Sequence, residues 1–250
     1  MARAALLGRL TWRLARVAAI RPETPRCATL VLDAPGWAGH RPGQHVDVRL
    51  TAEDGYQAQR SYSIASAPDG ERLELTVERI DDGEVSPYLV GELRDGDELE
   101  LRGPIGGYFV WQPGLGGPLQ LVGGGSGVVP LMAMLRHRAN LGSAVPARLL
   151  YSSRGDDDIL YRDELRRLSA GDPTLRVTHT LTRSQPPGWD GYARRIDADM
   201  LREVAWPPDQ RPLVYLCGPT RLVEAVATTL VELGNDPARI LTERFGPTGA

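Results

Sequence analysis

The sequence has no lysine: all 29 basic side chains among its 250 residues are arginine. A Walker A phosphate loop requires its Lys, and so does Schiff-base catalysis, so both chemistries are excluded. Cysteine is nearly as scarce. The only two, Cys27 and Cys217, stand far apart, which rules out a cysteine-rich zinc site and an iron–sulfur cluster held by four thiolates of this chain. Redox chemistry, if the chain performs any, needs an organic cofactor. The four histidines, His40, His45, His137 and His179, form no HExxH or similarly close pair, so no metal ligand is assigned. No apolar run approaches the ~20 residues that span a bilayer, and a net charge of −3 lacks the basic excess of a nucleic-acid surface. A soluble cytoplasmic chain is expected, with no membrane and no nucleic-acid partner.

The Arg-rich start has no acidic residue before Glu23, a composition shared with transit peptides. Its apolar core is too short for a secretory signal, and the alternation from Thr11 to Ile20 reads as a first strand preceded by a tail or short helix over 1–10. Residues 11–113 form the first expected unit. Short β segments at 13–20, 28–32, 45–50, 59–64, 73–79 and 98–102 are separated by turn signals such as Arg41-Pro42-Gly43, Pro68-Asp69-Gly70 and Asp95-Gly96-Asp97. Six such strands predict a small closed antiparallel barrel, because closure removes exposed edges. A helix over 87–92 interrupts them, with Ser86 as expected N-cap and Pro87 at the first helical position.

The pattern changes after the Gly/Pro-rich joint "QPGLGGP" at 112–118, where the second expected unit, 114–250, begins. Buried strands at 119–122, 148–152, 175–181, 213–216 and 240–242 alternate with helical stretches near 129–141, 161–169, 197–204 and 220–233. That alternation predicts a five-stranded parallel sheet with helices on both faces. Acidic runs at 95–100 and 155–158 read as solvated turns.

"LQLVGGGSGVVPLMAML" passes from a buried strand through Gly123, Gly124, Gly125 and Gly127 into a helix. Such a loop is an anion site, since backbone N–H groups and the helix dipole face the guest and absent side chains permit close approach. Val128 stands where both the dinucleotide fingerprint and the nucleophile elbow need a glycine. Ser126 is therefore expected as a ligand contact rather than a nucleophile. The second strand ends at Ser153-Arg154 where NAD-binding folds place an acidic residue, and Arg183 follows the third strand; cations there favour NADPH over NADH. Cys217-Gly218-Pro219 falls at the carboxyl ends of the strands, the usual ligand crevice of open α/β sheets.

One stretch remains, "RSYSIAS" at 60–66, with an Arg, an aromatic and three hydroxyls on an expected strand. Together with Gly83-x-x-Ser86, "GPIGGYF" at 103–109, "GGGSGVVP" at 123–130, Cys217-Gly218-Pro219 and "ERFG" at 243–246, it resembles the ferredoxin–NADP reductase family of flavoenzymes. The resemblance runs from about Arg13 to the C-terminus and implies a flavin-binding barrel followed by a pyridine-nucleotide domain. It implies that Arg60 binds flavin phosphate, that Tyr62 packs along the flavin, and that Ser61 and Ser63 hydrogen-bond it, Ser63 near the reactive N5. Main-chain groups of Thr76, Val77 and Glu78 would line the flavin. Gly83 and Ser86 would take a pyrophosphate, which favours FAD over FMN. In the second unit the resemblance assigns Gly124, Gly125, Ser126 and Gly127 to the nucleotide pyrophosphate, Cys217, Gly218 and Pro219 to the nicotinamide edge, and Glu243 and Phe245 to the flavin face.

The resemblance is nearer to bacterial oxygenase reductases than to plant-type members, which end on an aromatic residue, whereas this chain continues through Gly246 to Ala250. Many bacterial relatives carry a fused iron–sulfur domain, for which this chain has neither the length nor the cysteines. The expected activity is hydride transfer from NADPH or NADH to FAD, then one-electron delivery to a separate acceptor such as a ferredoxin or an oxygenase component, with Ser63, Cys217 and Glu243 as catalytic candidates. A flavin or ferric reductase with a diffusible acceptor, an electron-transfer subunit of a larger complex, and a non-catalytic flavin or nucleotide sensor remain open alternatives.

Overall fold

A computed structural model of the chain describes residues 10–68 and 72–246. The expected N-terminal tail or helix therefore lies outside the described residues apart from Leu10, and so do Asp69 and Gly70 of the expected turn.

Six strands, β1 (Trp12–Thr24), β2 (Cys27–Asp33), β3 (His45–Thr51), β4 (Gln57–Ser63), β5 (Arg72–Glu78) and β6 (Glu98–Ile105), form an antiparallel sheet in the order β4-β3-β6-β1-β2-β5. The two ends of that order meet. Ile64 bridges Leu75, and the Ala65 N–H donates to the Glu74 carbonyl at 2.7 Å, so the barrel closes as the strand pattern predicts. Alternation along each strand fills it: Leu73, Leu75 and Val77 of β5 point inward beside Leu30, Val46, Val48 and Leu101. Burying one such side chain is worth roughly 1.5–3 kcal/mol. β1 outruns its alternating stretch because its pairing with β2 continues to Thr24 opposite Cys27, and Pro22, which cannot donate to a ladder, sits beside a register shift.

Helix α1 (Ser86–Gly91) lays Leu89 on the barrel core. Its N-cap position is held by Val85, and no side chain caps it, which corrects the expectation for Ser86. Ser86 is the first helical residue, and its hydroxyl accepts a hydrogen bond from the Ile80 N–H at 3.0 Å. The loop from Ile80 to Ser86 folds back on itself, so the donor that reaches this hydroxyl belongs to the strand exit rather than to the helix.

The second sheet is parallel, with the order β11-β10-β7-β8-β9. Along the chain run β7 (Leu119–Gly124), α2 (Val128–Asn140), β8 (Ala147–Ser153), α3 (Arg162–Gly171), β9 (Leu175–Leu181), α4 (Ala198–Val204), β10 (Leu213–Pro219), α5 (Thr220–Glu232) and β11 (Ile240–Phe245). All six residues of β7 are buried, as expected of a strand covered on both faces. One face packs on α2 and α3, the other on α4 and α5. The chain moves outward from β7 to β9, then returns to β10 on the other side of β7. The diverging connections leave a crevice at the carboxyl ends of β7 and β10.

The outward face of β5 joins the two sheets. Glu78 accepts a hydrogen bond from the Ser126 hydroxyl at 2.7 Å, Thr76 accepts one from the Tyr161 hydroxyl, and Glu74 pairs with Arg136 at 2.7 Å. Around them Cys27 and Ala65 of the barrel side share a buried cluster with Leu131, Leu135 and Tyr151. Among the described residues no helix is long and apolar enough to cross a membrane, and no group of three or more His, Cys, Asp or Glu is placed to hold a metal.

Candidate active site at the junction of two sheets

The glycine loop is shaped by close backbone packing. A Cβ on Gly127 would stand 2.3 Å from the Cys217 carbonyl oxygen, and one on Gly218, which has φ +146°, would stand 2.9 Å from the Gly124 oxygen. The ends of β7 and β10 thus lie backbone on backbone, at a distance only glycine allows. Gly125 differs. Its φ is +55°, and nothing lies within 4 Å of where its Cβ would be. The loop therefore presents its peptide at Gly125 to open space, directly before α2, whose first turn has no capping side chain and no acidic residue. A short 3-10 turn over Gly125–Gly127 leads into the helix, the Val128 N–H donating to the Gly125 and Ser126 carbonyls, and the positive end of the helix dipole lies behind that space.

At the same ends of the strands, Cys217 and Glu243 are register partners across β10 and β11, and the Cys217 thiol donates to Glu243 Oε2 at 4.0 Å. Burial raises the Glu243 carboxyl from 4.5 to about 7. Burial, reinforced by the charge of Glu243, pushes the Cys217 thiol well above its ordinary range. The site thus holds a thiol that stays protonated and a carboxyl that exchanges its proton near neutrality. Phe245 pairs with Pro219 and packs, half-buried, against the interface cluster.

On the barrel side, Tyr62 packs half-buried on the core, and burial pushes its phenol up to about 12 against the opposing effect of Arg60. Arg60 is exposed and reaches the loop that contains Gly83 and Ser86, where its Nη2 lies 2.5 Å from Glu84. That loop is tight, since a Cβ on Gly83 would meet the Ile80 carbonyl and the Ser86 hydroxyl at 3.1 Å. Ser63 is buried at the end of β4 opposite His45. Ser61 is not gathered with Arg60 and Tyr62; its hydroxyl donates to Asp47 at 2.7 Å on the face that carries Arg102. Val77 is fully buried inside the barrel, so only its main chain faces outward. Thr76 sits 2.7 Å from Thr29 as well as against Tyr161.

Beyond β8 and β9 the two expected cationic positions come together. The Arg183 N–H donates to the Arg154 carbonyl at 2.8 Å, the Thr182 N–H donates to the Ser153 carbonyl at 3.0 Å, and both arginine side chains are exposed while Ser153 is buried.

Four residues of this region are not singled out by sequence. Tyr56 and Glu84 surround Arg60, with the Tyr56 hydroxyl donating to Glu84 at 2.5 Å. Arg136 bonds Glu74, Glu164 and the Ala65 carbonyl, and Tyr161 holds a left-handed φ of 56° beneath it. The available signal was the alternation Glu74, Thr76, Glu78 on a strand whose other face is wholly apolar.

Comparison with known proteins agrees with the two-sheet architecture. A family profile described as "Oxidoreductase FAD-binding domain" matches residues 19–110, and one described as "Oxidoreductase NAD-binding domain" matches residues 121–228. The chain is 37% identical over 238 residues to ferredoxin–NADP reductase B of Sorangium cellulosum (strain So ce56), covering 92% of this chain and 96% of that protein. It is 30% identical to the ferredoxin–NAD(P)(+) reductase component of the naphthalene 1,2-dioxygenase system of Pseudomonas putida, covering 83% of this chain but only 61% of that protein's length. The flavohem-like FAD/NAD-binding domain of nitric oxide dioxygenase from Vibrio cholerae O1 biovar El Tor superposes with a TM-score of 0.84 at 26% identity, covering 94% of this chain and 99% of that one. The chain belongs to the ferredoxin–NADP reductase family of FAD- and NAD(P)-binding oxidoreductases.

Proposed function

We propose that this chain is a flavoenzyme that accepts hydride from NADPH, or NADH, through FAD and delivers electrons to a separate protein, a ferredoxin or an oxygenase component. The observation that carries this reading is the hydrogen bond from Ser126 to Glu78 at 2.7 Å. It sets the glycine loop of the nucleotide crevice against β5, so that an anion-binding helix start and the Arg60–Ser86 face of the barrel open on one junction. Bound there, a flavin supplies the ability to take two electrons as hydride and release them singly.

The residues fit such a guest. Arg60 and the loop from Gly83 to Ser86 offer a cation and backbone donors for a pyrophosphate, which is the reason for preferring FAD, and Tyr62 offers a half-buried aromatic wall. Ser63 and the main chain of Thr76, Val77 and Glu78 supply hydrogen bonds along the flavin edge; the Ser61 hydroxyl, committed to Asp47, contributes only if it turns. Gly124, Gly125, Ser126 and Gly127 hold the nucleotide pyrophosphate, and Arg154 and Arg183, beside Ser153, receive a 2′-phosphate.

Cys217, Gly218 and Pro219 seat the nicotinamide edge. The protonated Cys217 thiol and the Glu243 carboxyl keep that edge dry and close to neutral, and Phe245 fills the space beside them. Orientation of this kind is the protein's share of hydride transfer. The division falls at residues 11–113 for the flavin unit and 114–250 for the nucleotide unit, in a cytoplasmic protein.

The test is to purify the chain, identify its flavin, and follow anaerobic reduction by NADPH and NADH in turn, then reoxidation by ferredoxins, oxygenase components, free flavin and ferric chelates. Fast reoxidation by a protein acceptor supports the proposal. Reoxidation only by free flavin or ferric chelates replaces it with a diffusible-acceptor reductase, and binding without turnover replaces it with a sensor.

A further inference from the structure

The environment of Arg60 contains an anion of the chain's own. Glu84 lies between Gly83 and Ser86, inside the loop assigned above to the flavin pyrophosphate, and its Oε2 is 2.5 Å from Arg60 Nη2. Its other oxygen, Oε1, accepts the Tyr56 hydroxyl at 2.5 Å, so the carboxylate is held from two sides. Arg60 Nη1 is occupied too, by the Gln59 carbonyl at 2.7 Å. The guanidinium fork is thus already engaged where a phosphate would have to approach. A fixed negative charge among phosphate-binding donors also repels the phosphate itself. The hydrogen bond from Tyr56, and then Arg60, holds Glu84 below the ordinary carboxylate range, and it is an anion at neutral pH.

We propose that Glu84 is an internal counter-anion that competes with the flavin phosphate for Arg60, and so sets how tightly the chain holds its flavin. The inference rests on the placing of flavin phosphate at Arg60. Both partners are about half exposed, with side-chain accessibilities of 53% for Arg60 and 45% for Glu84. Their pair is therefore easily opened, and the effect is a graded weakening rather than a block. Tyr56 gives the competitor its persistence, since without that hydroxyl the carboxylate is free to turn into solvent.

The test is flavin affinity, read as fluorescence of FAD released when the flavin-loaded full chain is diluted, in a cycle of Glu84→Gln, Arg60→Gln and the double variant. Gln at position 84 still accepts from Tyr56 through its one carbonyl oxygen, while its NH2 group stands where Oε2 accepted from Arg60, so the charge and the Arg60 bond are removed together. Glu84→Gln is expected to tighten FAD about two- to fivefold, the range of an exposed ion pair. Arg60→Gln is expected to loosen FAD markedly, and in that background Glu84→Gln is expected to tighten it less than in the parent, since only the direct repulsion is then relieved. An unchanged or weakened affinity in Glu84→Gln overturns the proposal. Equal tightening with and without Arg60 overturns competition for Arg60 while leaving the phosphate placing intact. An Arg60→Gln variant that holds FAD as firmly as the parent removes the phosphate placing, and the competition with it.

Discussion

Two glycines separated by one residue make opposite predictions. A methyl group on Gly127 would stand 2.3 Å from the Cys217 carbonyl oxygen and 2.5 Å from Gly218 Cα. Ordinary contact requires about 3.5 Å, so the loop and the end of β10 must part by about 1 Å. Both contacts are backbone within or beside a parallel sheet, and neither can rotate out of the way. Overpacking of this kind costs roughly 1–3 kcal/mol, and Gly127→Ala is expected at the upper end of that range. A methyl group on Gly125 meets nothing within 4 Å, and its only penalty is the φ of +55°, about 1 kcal/mol. If the space over Gly125 is where a pyrophosphate lies, however, Gly125→Ala must weaken nucleotide binding more than its stability loss suggests. Urea unfolding gives the stabilities, and calorimetric titration with NADP+ gives the affinities. The expected pattern is a large stability loss for Gly127→Ala, and a small one for Gly125→Ala with affinity lowered at least tenfold. A Gly125→Ala variant with parental affinity would refute the assignment of that space, and a Gly127→Ala variant of parental stability would refute the packing argument.

The remaining predictions concern the buried acid and the interface. Because burial raises Glu243 from 4.5 to about 7, the folded chain keeps a proton that the unfolded chain releases, and stability falls as pH rises through that window. The contribution is at most about 3 kcal/mol; Glu243→Gln should abolish it, leaving the variant more stable than the parent above pH 7 in pH-resolved unfolding. Tyr161 donates to Thr76, which neighbours Thr29 at 2.7 Å, which in turn donates to Glu23 at 2.7 Å. Tyr161→Phe breaks the head of this chain and is expected to cost about 1 kcal/mol, measured by chemical denaturation. Arg136→Lys retains the charge but not the paired N–H groups that reach Glu164 at 2.8 and 2.6 Å; a loss of about 2 kcal/mol is expected in the same assay.

Local signals made most of the strands legible, because alternation and turn residues act within a few positions of each other. The barrel's closing seam was not legible. Ala65 and Ser66 end the "RSYSIAS" stretch with no role assigned to them, yet the Ala65 carbonyl accepts from Arg136 at 2.9 Å, and the Ser66 hydroxyl accepts from the Glu74 N–H at 3.2 Å. Ser86 misled because a hydroxyl before a helical pattern signals a cap, whereas a folded-back loop offered it a nearer donor at Ile80. The glycine loop was legible as an anion site, but the division of labour between Gly125 and Gly127 depends on where β10 ends, nearly a hundred residues later. Tyr161 and Glu84 were invisible for the same reason. Their partners, Thr76 and Arg60, lie 85 and 24 residues away, and nothing local distinguishes them from a core tyrosine and a surface acid.

The most direct measurement is anaerobic stopped-flow mixing of the flavin-loaded chain with NADPH, recorded in the oxidised flavin's visible band. The account predicts bleaching at a rate that saturates with NADPH, slowed when Gly125 is replaced by Ala and restored toward the parental limit at high nucleotide. A chain that binds both FAD and NADPH but shows no bleaching would contradict it, because the junction between β5 and the glycine loop would then hold two ligands without bringing their reacting edges together.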